Sequence, residues 1–307
     1  MKCKHIFAVE ISFAFHKEVE VARIEPVEME FCIYCKSPWI VKDGLRRNKY
    51  GDIQKFNCRD CNRYFTVNVG FEKMHATPEM VTSAMQLYFT GESLRNVQKF
   101  LKLQGVKITH VSIYNWIRKY VGLTKAYLEK ITPNVADDAD ELYVKVRGNP
   151  KYLFALMDDQ TRFWIAQQAA DTKYTSNITR LLQNAKEITG KRPNTFITDG
   201  APNFHDAFKK EFLTINNPRT RHISHIRLQG DHNNNKMKRM NGEVRDREKV
   251  MRGLKRKDTT VLTGYQLYHN YFRPHEALKT PAEKCGIIIE GENKWQTVIE
   301  NASGRKS

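Results

Sequence analysis

The runs Leu142-Tyr-Val-Lys-Val146, Tyr152-Leu-Phe-Ala-Leu-Met157 and Phe163-Trp-Ile-Ala166 decide the fold class of this chain. Each run is short and rich in β-branched and aromatic residues, which predicts three consecutive strands. Asn149-Pro150 and Asp159-Gln-Thr161 separate the runs, and residues of these types favour tight turns. The segment therefore predicts two successive hairpins.

Beyond the third strand, the hydrophobic pattern alternates between helical and extended periods. Apolar residues at helical spacing predict a helix over residues 175–189. The further predicted elements are a strand over 195–198, a helix over 202–212, a strand over 222–226 and a basic helix over 234–252. Three strands followed by alternating helices and strands predict an α/β fold with a mixed sheet covered by helices.

Composition and charge point to a nucleic-acid partner. The chain has 307 residues, with 51 Lys and Arg against 34 Asp and Glu, a net charge of +17 and a pI near 9.5. Such an excess favours a polyanion, and neither an amphipathic basic helix nor a lipidation motif supports a membrane surface instead. No apolar run approaches the ~18 residues of a membrane span, and Glu10 interrupts the apolar start, so we expect no membrane insertion and no signal peptide.

Four cysteines predict a zinc ribbon over residues 31–67. Cys32 and Cys35 form one CxxC pair, Cys58 and Cys61 form a second, and 22 residues separate the pairs. Two such turns can supply a tetrahedral set of four thiolates, which predicts a structural Zn²⁺ rather than a catalytic one. Two disulfides or four unlinked thiols are the alternatives. Residues 1–30 carry no motif, and Cys3 and Cys285 are expected to be free thiols.

Residues 77–125 predict a helix-turn-helix module that binds DNA. Thr77-Pro-Glu-Met, Ser93 and Thr109 are helix-start signals, and each precedes an apolar pattern with helical spacing. The third helix would enter the major groove. Its outward residues are predicted to contact DNA: His110, Ser112, Tyr114, Asn115, Arg118 and Lys119. The alternative is a helical linker whose polar face is only solvated.

Carboxylates stand at the ends of two predicted strands. Asp140 closes the acidic run that begins at Asp137 and opens the first strand, and Asp199 follows the fourth strand. Carboxylates brought together at strand ends can hold Mg²⁺. The alternative is that residues 137–141 form a solvated loop and Asp199-Gly200 an ordinary turn.

Several motifs in one order resemble the DDE transposases of bacterial and archaeal insertion sequences. The resemblance spans residues 31–285. The matching motifs are Asp140-Glu-Leu-Tyr-Val-Lys-Val146, Tyr152-Leu-Phe-Ala-Leu-Met-Asp158, Thr198-Asp199-Gly200, the helix from Asn234-Asn235 through Glu243 to Gly253, and Tyr268-His-Asn-Tyr-Phe-Arg273-Pro-His275 with Thr280-Pro-Ala-Glu283.

The resemblance implies an RNase H-like mixed sheet with flanking helices over residues 135–285, preceded by the zinc ribbon and the helix-turn-helix, with a tail at 286–307. It implies strand cleavage and strand transfer with Mg²⁺ or Mn²⁺ held by Asp140, Asp199 and Glu243. The implied partners are double-stranded DNA, at terminal repeats and target sites, and at least a second copy of the chain. It implies no small-molecule substrate and no membrane, and a cytoplasmic, nucleoid-associated location.

One position departs from the family pattern. The acid expected three residues after the paired asparagines is replaced by Lys238, and Glu243 lies five residues further along. Those two positions differ by about 140° around a helix, so Glu243 is not a simple substitute. A disabled, transposase-derived DNA-binding protein is therefore the alternative function. A regulator with a zinc ribbon and an unrelated α/β domain is a third reading.

The basic helix over 234–252 is predicted to follow DNA through phosphate contacts. The residues proposed for this path are Lys236, Lys238, Arg239, Arg245, Arg247, Lys249 and Arg252. A solvated face with internal acid–base pairs is the alternative, because Asp246 and Glu248 are interspersed. His222, His225 and His232 could bind a metal, but such loose spacing favours ordinary polar or phosphate contacts.

Overall fold

A computed structural model describes most of the chain. The described residues are 21–27, 30–48, 51–66, 69–71, 74, 76–135, 138–145, 152–198, 200–215, 219–224, 235–251, 260–275 and 279–304. No helix in these ranges combines the length and the apolar character needed to cross a bilayer.

The described strands form three separate sheets. In chain order they are β1 (Ala22–Ile24), β2 (Ile40–Asn48), β3 (Gly51–Cys58), β4 (Tyr64–Thr66), β5 (Asp138–Lys145), β6 (Tyr152–Asp158), β7 (Trp164–Ala170), β8 (Thr195–Thr198), β9 (Arg221–Ser224) and β10 (Ile287–Ile289). Strands β2, β3 and β4 form the ribbon sheet, β1 pairs with β10, and the other five form the central sheet.

The central sheet has the strand order β7-β6-β5-β8-β9. Strands β5, β6 and β7 are antiparallel neighbours, as the two predicted hairpins require, whereas β8 and β9 run parallel to β5. A helix lies between β7 and β8 and another between β8 and β9, which lets parallel strands join the same sheet. This is the mixed sheet joined by helical crossovers that the sequence predicted.

Helices flank the central sheet and precede it in the chain. In order they are α1 (Pro78–Thr90), α2 (Leu94–Leu103), α3 (His110–Leu128), α4 (Thr175–Thr189), α5 (Pro202–Glu211), α6 (Asn235–Met251), α7 (Thr260–Leu267), α8 (Pro281–Lys284) and α9 (Lys294–Gly304). A π-helical turn, Tyr268–Phe272, continues α7 directly. The bounds of α4 and β8 are those that the sequence predicted.

Local capping explains where the first three helices begin. The side chains of Thr77, Ser93 and Thr109 each accept a hydrogen bond from the backbone N–H three residues later. Such caps satisfy one of the free N–H groups at a helix start. Helix α1 ends at Gly91, whose φ of 138° suits glycine. The three predicted helix starts are therefore confirmed.

Residues 286–307, for which the sequence predicted only a tail, form β10 and α9 up to Gly304. Strand β10 pairs with β1, so residues 22–24 also have a place in the fold. The ring of Trp295 in α9 stacks on Phe272 at 3.6 Å and on Phe89 of α1 at 5.8 Å between centroids. Trp295, Val298 and Ile299 have helical spacing and are buried, so the apolar face of α9 packs into the main core.

One edge of the central sheet is covered by side chains. Strand β7 is one of the two edge strands, and Asn270 in the π-helical turn accepts from the N–H of Trp164 and donates to its carbonyl, at 2.8 and 2.9 Å. Gln266 Nε2 also donates to the Trp164 carbonyl, at 2.9 Å. These bonds pair backbone groups that an edge strand otherwise leaves open.

Candidate functional site

The two strands that carry the predicted catalytic aspartates are parallel neighbours in the centre of the sheet. Asp140 is the third residue of β5, and its backbone lies beside Ile197 of β8 and opposite Met157 of β6. Asp199 comes directly after Thr198, the last residue of β8, and lies outside the described residues. The sheet therefore places Asp140 and the residues directly before Asp199 on adjacent strands.

Asp158, at the end of β6, is a buried carboxylate near this region. Its backbone is in register with Ala139, and its Oδ2 accepts hydrogen bonds from the N–H and the hydroxyl of Thr161 at 2.7 and 2.5 Å. These bonds close the turn between β6 and β7, as the sequence predicted for residues 159–161. The Oδ2 atom of Asp158 thus has a structural role in the hairpin.

Glu243, the predicted third acid, is held by an arginine. Helix α6 lies against β5, and Glu243 is about midway along it. Arg273 donates from Nη1 and Nη2 to the two carboxylate oxygens of Glu243, at 2.5 and 3.0 Å. The hydroxyl of Tyr265 lies 3.5 Å from Oε2 and can donate to it. Both oxygens are therefore engaged by a cation, and metal binding by Glu243 would require it to leave Arg273.

Burial keeps Tyr265 protonated beside this ion pair. Desolvation, together with the nearby Glu243 charge, raises the pKa of Tyr265 well above its ordinary value. A neutral phenol can still donate to the carboxylate, whereas a phenolate would repel it. The Glu243–Arg273 pair therefore has a permanent neutral neighbour, and the three side chains tie α6 to α7 and to the segment that follows the π-helical turn.

Helix α6 exposes some of its basic residues and buries one of them. Arg239, Arg245 and Lys249 are exposed, and Lys249 pairs with Asp246 at 2.7 Å. Arg247 is only 4% exposed, and its guanidinium lies 4.1 Å from the centre of the Tyr88 ring in α1. The prediction that Arg247 follows DNA is therefore wrong, because Arg247 faces the helical module. Arg252 and the side chains of Lys236 and Lys238 lie outside the described residues.

Helix α3 presents most of the predicted DNA-contacting residues to solvent. Tyr114, Asn115 and Arg118 are exposed, and His110 and Ser112 are half-buried in its first turn. Lys119 differs, because its ammonium donates to the carbonyl of Gly70 at 3.3 Å. It therefore helps to dock α3 on the segment that follows the ribbon. The buried residues of α3 include Ile113, Ile117 and Tyr120, so one face packs inward and the other stays free.

The four ribbon cysteines come together as one cluster. Their sulfur atoms all lie within 4.8 Å of one another, with 3.7 Å between Cys32 and Cys61 and 3.5 Å between Cys35 and Cys58. A tetrahedral zinc with ~2.3 Å bonds sets sulfurs about 3.8 Å apart, so the cluster has the size and the donors that fit Zn²⁺. Hydrogen bonds from the backbone of Cys61 and other groups lower the pKa of Cys58 to about 6, which favours the thiolate.

His222 lies in β9, the strand next to β8, and contacts side chains of two neighbouring elements. His222 Nε2 lies 2.9 Å from the Thr198 hydroxyl, and His222 Nδ1 lies 3.3 Å from Nδ1 of His205. Burial and the neighbouring His205 lower the pKa of His222. His225 and His232 lie outside the described residues, so the predicted choice between metal and polar roles for the three histidines stays open.

Sequence reasoning missed the contacts that the last motif makes. In the sequence, the run Tyr268–His275 indicates only a resemblance to the family's C-terminal motif. In the structure, Asn270 hydrogen-bonds to Trp164 of β7, and Arg273 pairs with Glu243. No pattern near either residue in the sequence indicates that Arg273 pairs with Glu243. Thr280 and Glu283 in the following motif form a capping box at the start of α8.

Comparison with known proteins finds similarity over the part of the chain that contains the central sheet. A family model described as a DDE domain matches residues 134–275, which is just under half of the chain. A transposase for the insertion sequence-like element IS431mec of Staphylococcus aureus strain Mu50 is 26% identical over 138 residues, which cover 43% of this chain and 59% of the relative. A transposase of insertion sequence element IS257 in transposon Tn4003, also from Staphylococcus aureus, matches to the same extent. The chain thus spans about three fifths of the length of these relatives.

Solved structures also resemble the chain. The HTLV-2 integrase catalytic core domain, solved in complex with magnesium, has a TM-score of 0.36 and 13% identity, and the match covers 50% of this chain and 98% of that one. The catalytic core domain of BIV integrase has a TM-score of 0.32 and 12% identity over 49% of this chain and 93% of that one. Because both TM-scores are low, the description of the fold depends on the strand order of the sheet and not on these matches.

Proposed function

We propose, from the DDE transposase domain that residues 134–275 form, that this protein cleaves DNA strands at the ends of an insertion sequence and transfers them to target DNA. The observation that supports the proposal is the parallel pairing of β5 with β8. It sets Asp140 beside Ile197, two residues before Asp199. The third reading, a regulator with an unrelated α/β domain, does not hold, because this part of the chain matches a DDE domain.

Asp140 and Asp199 are the residues that would hold Mg²⁺ or Mn²⁺. Carboxylate oxygens are ligands that these hard cations prefer, so two of the three predicted donors fit. Glu243 does not fit while both of its oxygens pair with Arg273, and it stays a ligand candidate only for a state in which that pair opens. A bound pair of such ions would supply charge stabilisation at the scissile phosphate and activation of the attacking hydroxyl.

The rest of the chain would position DNA for that chemistry. We assign duplex recognition to the exposed face of α3, with Asn115 and Arg118 among the contacting residues. The exposed Arg239, Arg245 and Lys249 of α6 would add phosphate contacts beside the sheet. Zn²⁺ on the four cysteines would stabilise the ribbon. Pairing two DNA ends would require at least a homodimer, and we place the protein in the cytoplasm, at the nucleoid.

A strand-transfer assay tests the proposal. Purified full-length protein is incubated in Mg²⁺ with the DNA that flanks its gene as donor and a plasmid as target. The native protein, Asp140→Ala and Asp140→Asn are compared, with duplex binding measured in parallel as a check on folding. We expect strand transfer by the native protein and loss of transfer, at unchanged duplex binding, in both variants. Transfer that survives in both would overturn the assignment of Asp140.

A disabled DNA-binding protein is the second candidate function. Two observations favour it: Lys238 stands at the position where the family carries an acid, and Glu243 is already paired with Arg273. A lysine there would set a cation where a metal ion should bind. In that case the native protein binds the flanking DNA without transferring it, and Lys238→Glu restores transfer. Lys238→Gln is the matched control, because it removes the charge without supplying a ligand.

A further inference from the structure

The ribbon exposes an unusual number of large hydrophobic side chains. Seven of the fifteen that the described residues expose lie within residues 31–67, including Trp39 at 68% and Tyr64 at 56%. Clusters of exposed apolar side chains on a folded domain commonly mark an interaction site. The cysteine cluster does not account for them, because its own apolar neighbours Ile40, Phe56 and Phe65 are buried or half-buried.

Strand register divides the ribbon sheet into two faces. Ile40 is in register with Cys58, and Phe56 with Phe65, and these residues belong to the inner cluster around the cysteines. Residues directly across from one another share a face, and successive residues alternate. Val41, Asn57 and Tyr64 are in register across all three strands, so they occupy the opposite face. The outer face is defined here as these residues together with Trp39, Lys55 and Arg46.

Asn57, in the middle of the outer face, has an unused hydrogen-bond donor. The residue is only 3% exposed, and its side-chain Nδ2 makes no hydrogen bond with any residue that the structure describes. Buried amide donors are nearly always paired, with protein, water or a ligand. This donor is covered by its neighbours, so the accessible contacts of the outer face are those of its aromatic and basic side chains.

Positive charge surrounds the aromatic residues. Lys55 Nζ lies 4.6 Å from the centre of the Tyr64 ring, and Arg46 shares the outer face with it through its register with Ile53. Over residues 31–67 the sequence has eight Lys and Arg against three Asp. A face that combines exposed aromatic rings with cations suits a nucleic acid better than an apolar protein surface.

We propose that the outer face of the ribbon binds single-stranded DNA. Unpaired bases stack on Trp39 and Tyr64, and Lys55 and Arg46 contact phosphates. A single strand is chosen over a duplex because the flat face of a base is open to an aromatic ring only when the base is unpaired and unstacked. The inference needs no residue of the catalytic site, so a protein disabled by Lys238 retains this binding.

Fluorescence anisotropy on the full-length, zinc-loaded protein tests the proposal. The probes are a labelled single strand of about 12 nucleotides, a length within the usual range for such sites, and the duplex of the same sequence. Trp39→Ala and Tyr64→Ala should each weaken single-strand binding about tenfold, the size of one lost stacking contact. Trp39→Phe should keep most of the affinity. Duplex binding should be unchanged in all three, while Arg118→Ala should weaken the duplex only.

Tyr174→Ala is the matched control, because Tyr174 is 69% exposed and lies outside the ribbon. Zinc content, measured for every variant, reports that the ribbon is folded. Equal losses for duplex and single strand would overturn the proposal, as would unchanged single-strand binding in both alanine variants. A change of oligomeric state in Trp39→Ala with single-strand binding intact would assign the face to a second copy of the chain instead.

Discussion

Arg273 engages both carboxylate oxygens of Glu243 across 30 positions of sequence, and it does so from the end of the π-helical turn to the middle of α6. The resemblance to DDE transposases predicts the third acid in the same helix, at the position of Lys238. The acid nearest to that position is therefore already neutralised by an arginine of the fold. Glu243 therefore connects α6 to the C-terminal motif through Arg273, and this contact requires no metal.

A double-mutant cycle measures the strength of this contact. We expect Glu243→Gln, Arg273→Gln and the double variant to give a coupling free energy of about 1–3 kcal/mol, because a bidentate, charge-assisted pair exceeds a neutral hydrogen bond. Urea denaturation of the four proteins provides the free energies of unfolding. Lys249→Gln with Asp246→Asn is the control cycle on the same helix, where an exposed pair should couple by less than about 1 kcal/mol. Equal coupling in the two cycles would contradict the structure.

The ribbon should lose its fold with its metal. Zinc analysis is expected to find one equivalent per chain, which Cys58→Ser should abolish, since the four sulfurs lie within one tetrahedral set. Cys285→Ser is the control, because Cys285 is buried elsewhere, and burial raises its pKa to about 12. A thiol reagent at pH 8 should therefore leave Cys285 unmodified in the native protein. Full zinc content in Cys58→Ser would contradict the predicted site.

Acid should destabilise the protein through His269. Burial lowers the pKa of His269 to about 3, while the unfolded chain binds that proton near the ordinary value of 6.5. Between these values the unfolded state holds more protons, so the free energy of unfolding falls with decreasing pH by about 1.4 kcal/mol per unit for this one group. Stability attributable to His269 is fully present above pH 6.5.

Urea denaturation from pH 7 to pH 4 checks this dependence. His269→Gln can still donate to the Arg162 carbonyl, which the native ring contacts at 3.0 Å, but it does not titrate. The variant should show a slope smaller by about one proton. An unchanged slope in His269→Gln would refute the assignment.

A glycine sets the distance between the helical module and α7. A Cβ at Gly264 would lie 2.7 Å from Val121 Cγ2 of α3 and would overlap the ring of Phe89. Gly264→Ala should therefore destabilise the protein by about 1–3 kcal/mol through overpacking. Gly242→Ala in α6 is the control, because nothing lies within 4 Å of its added methyl. That change should instead stabilise the helix by about 0.5–1 kcal/mol. Thermal denaturation of both variants measures the two changes in stability.

Local signals explain what the sequence could predict. Thr77, Ser93 and Thr109 cap the helices that follow them, because a cap depends only on the next three residues. The CxxC spacing likewise predicts a cluster of four sulfurs from the geometry of two turns. The mixed sheet was predictable because hairpin turns favour antiparallel neighbours and crossover helices favour parallel ones.

Contacts between distant segments account for the rest. Arg247 and Lys249 belong to the same run of basic residues in α6. In the structure, however, Arg247 lies over the Tyr88 ring, whereas Lys249 is exposed and pairs with Asp246. Nothing near Arg247 in the chain indicates that α1 will cover it. The pairing of Glu243 with Arg273 and the packing of Trp295 on Phe89 also depend on tertiary structure, so periodicity alone could not predict them.

Because the chain is synthesised from its N-terminus, the stacking of Trp295 on Phe89 can form only late in translation. Helices α1 and α3 leave the ribosome long before residues 294–304, which complete the core beneath them. A nascent chain that has just finished α3 has all the side chains of its exposed face but lacks the support of α9. The helical module should therefore reach its final packing only after the central sheet has been translated, and a polypeptide truncated before α9 would carry α3 without that support.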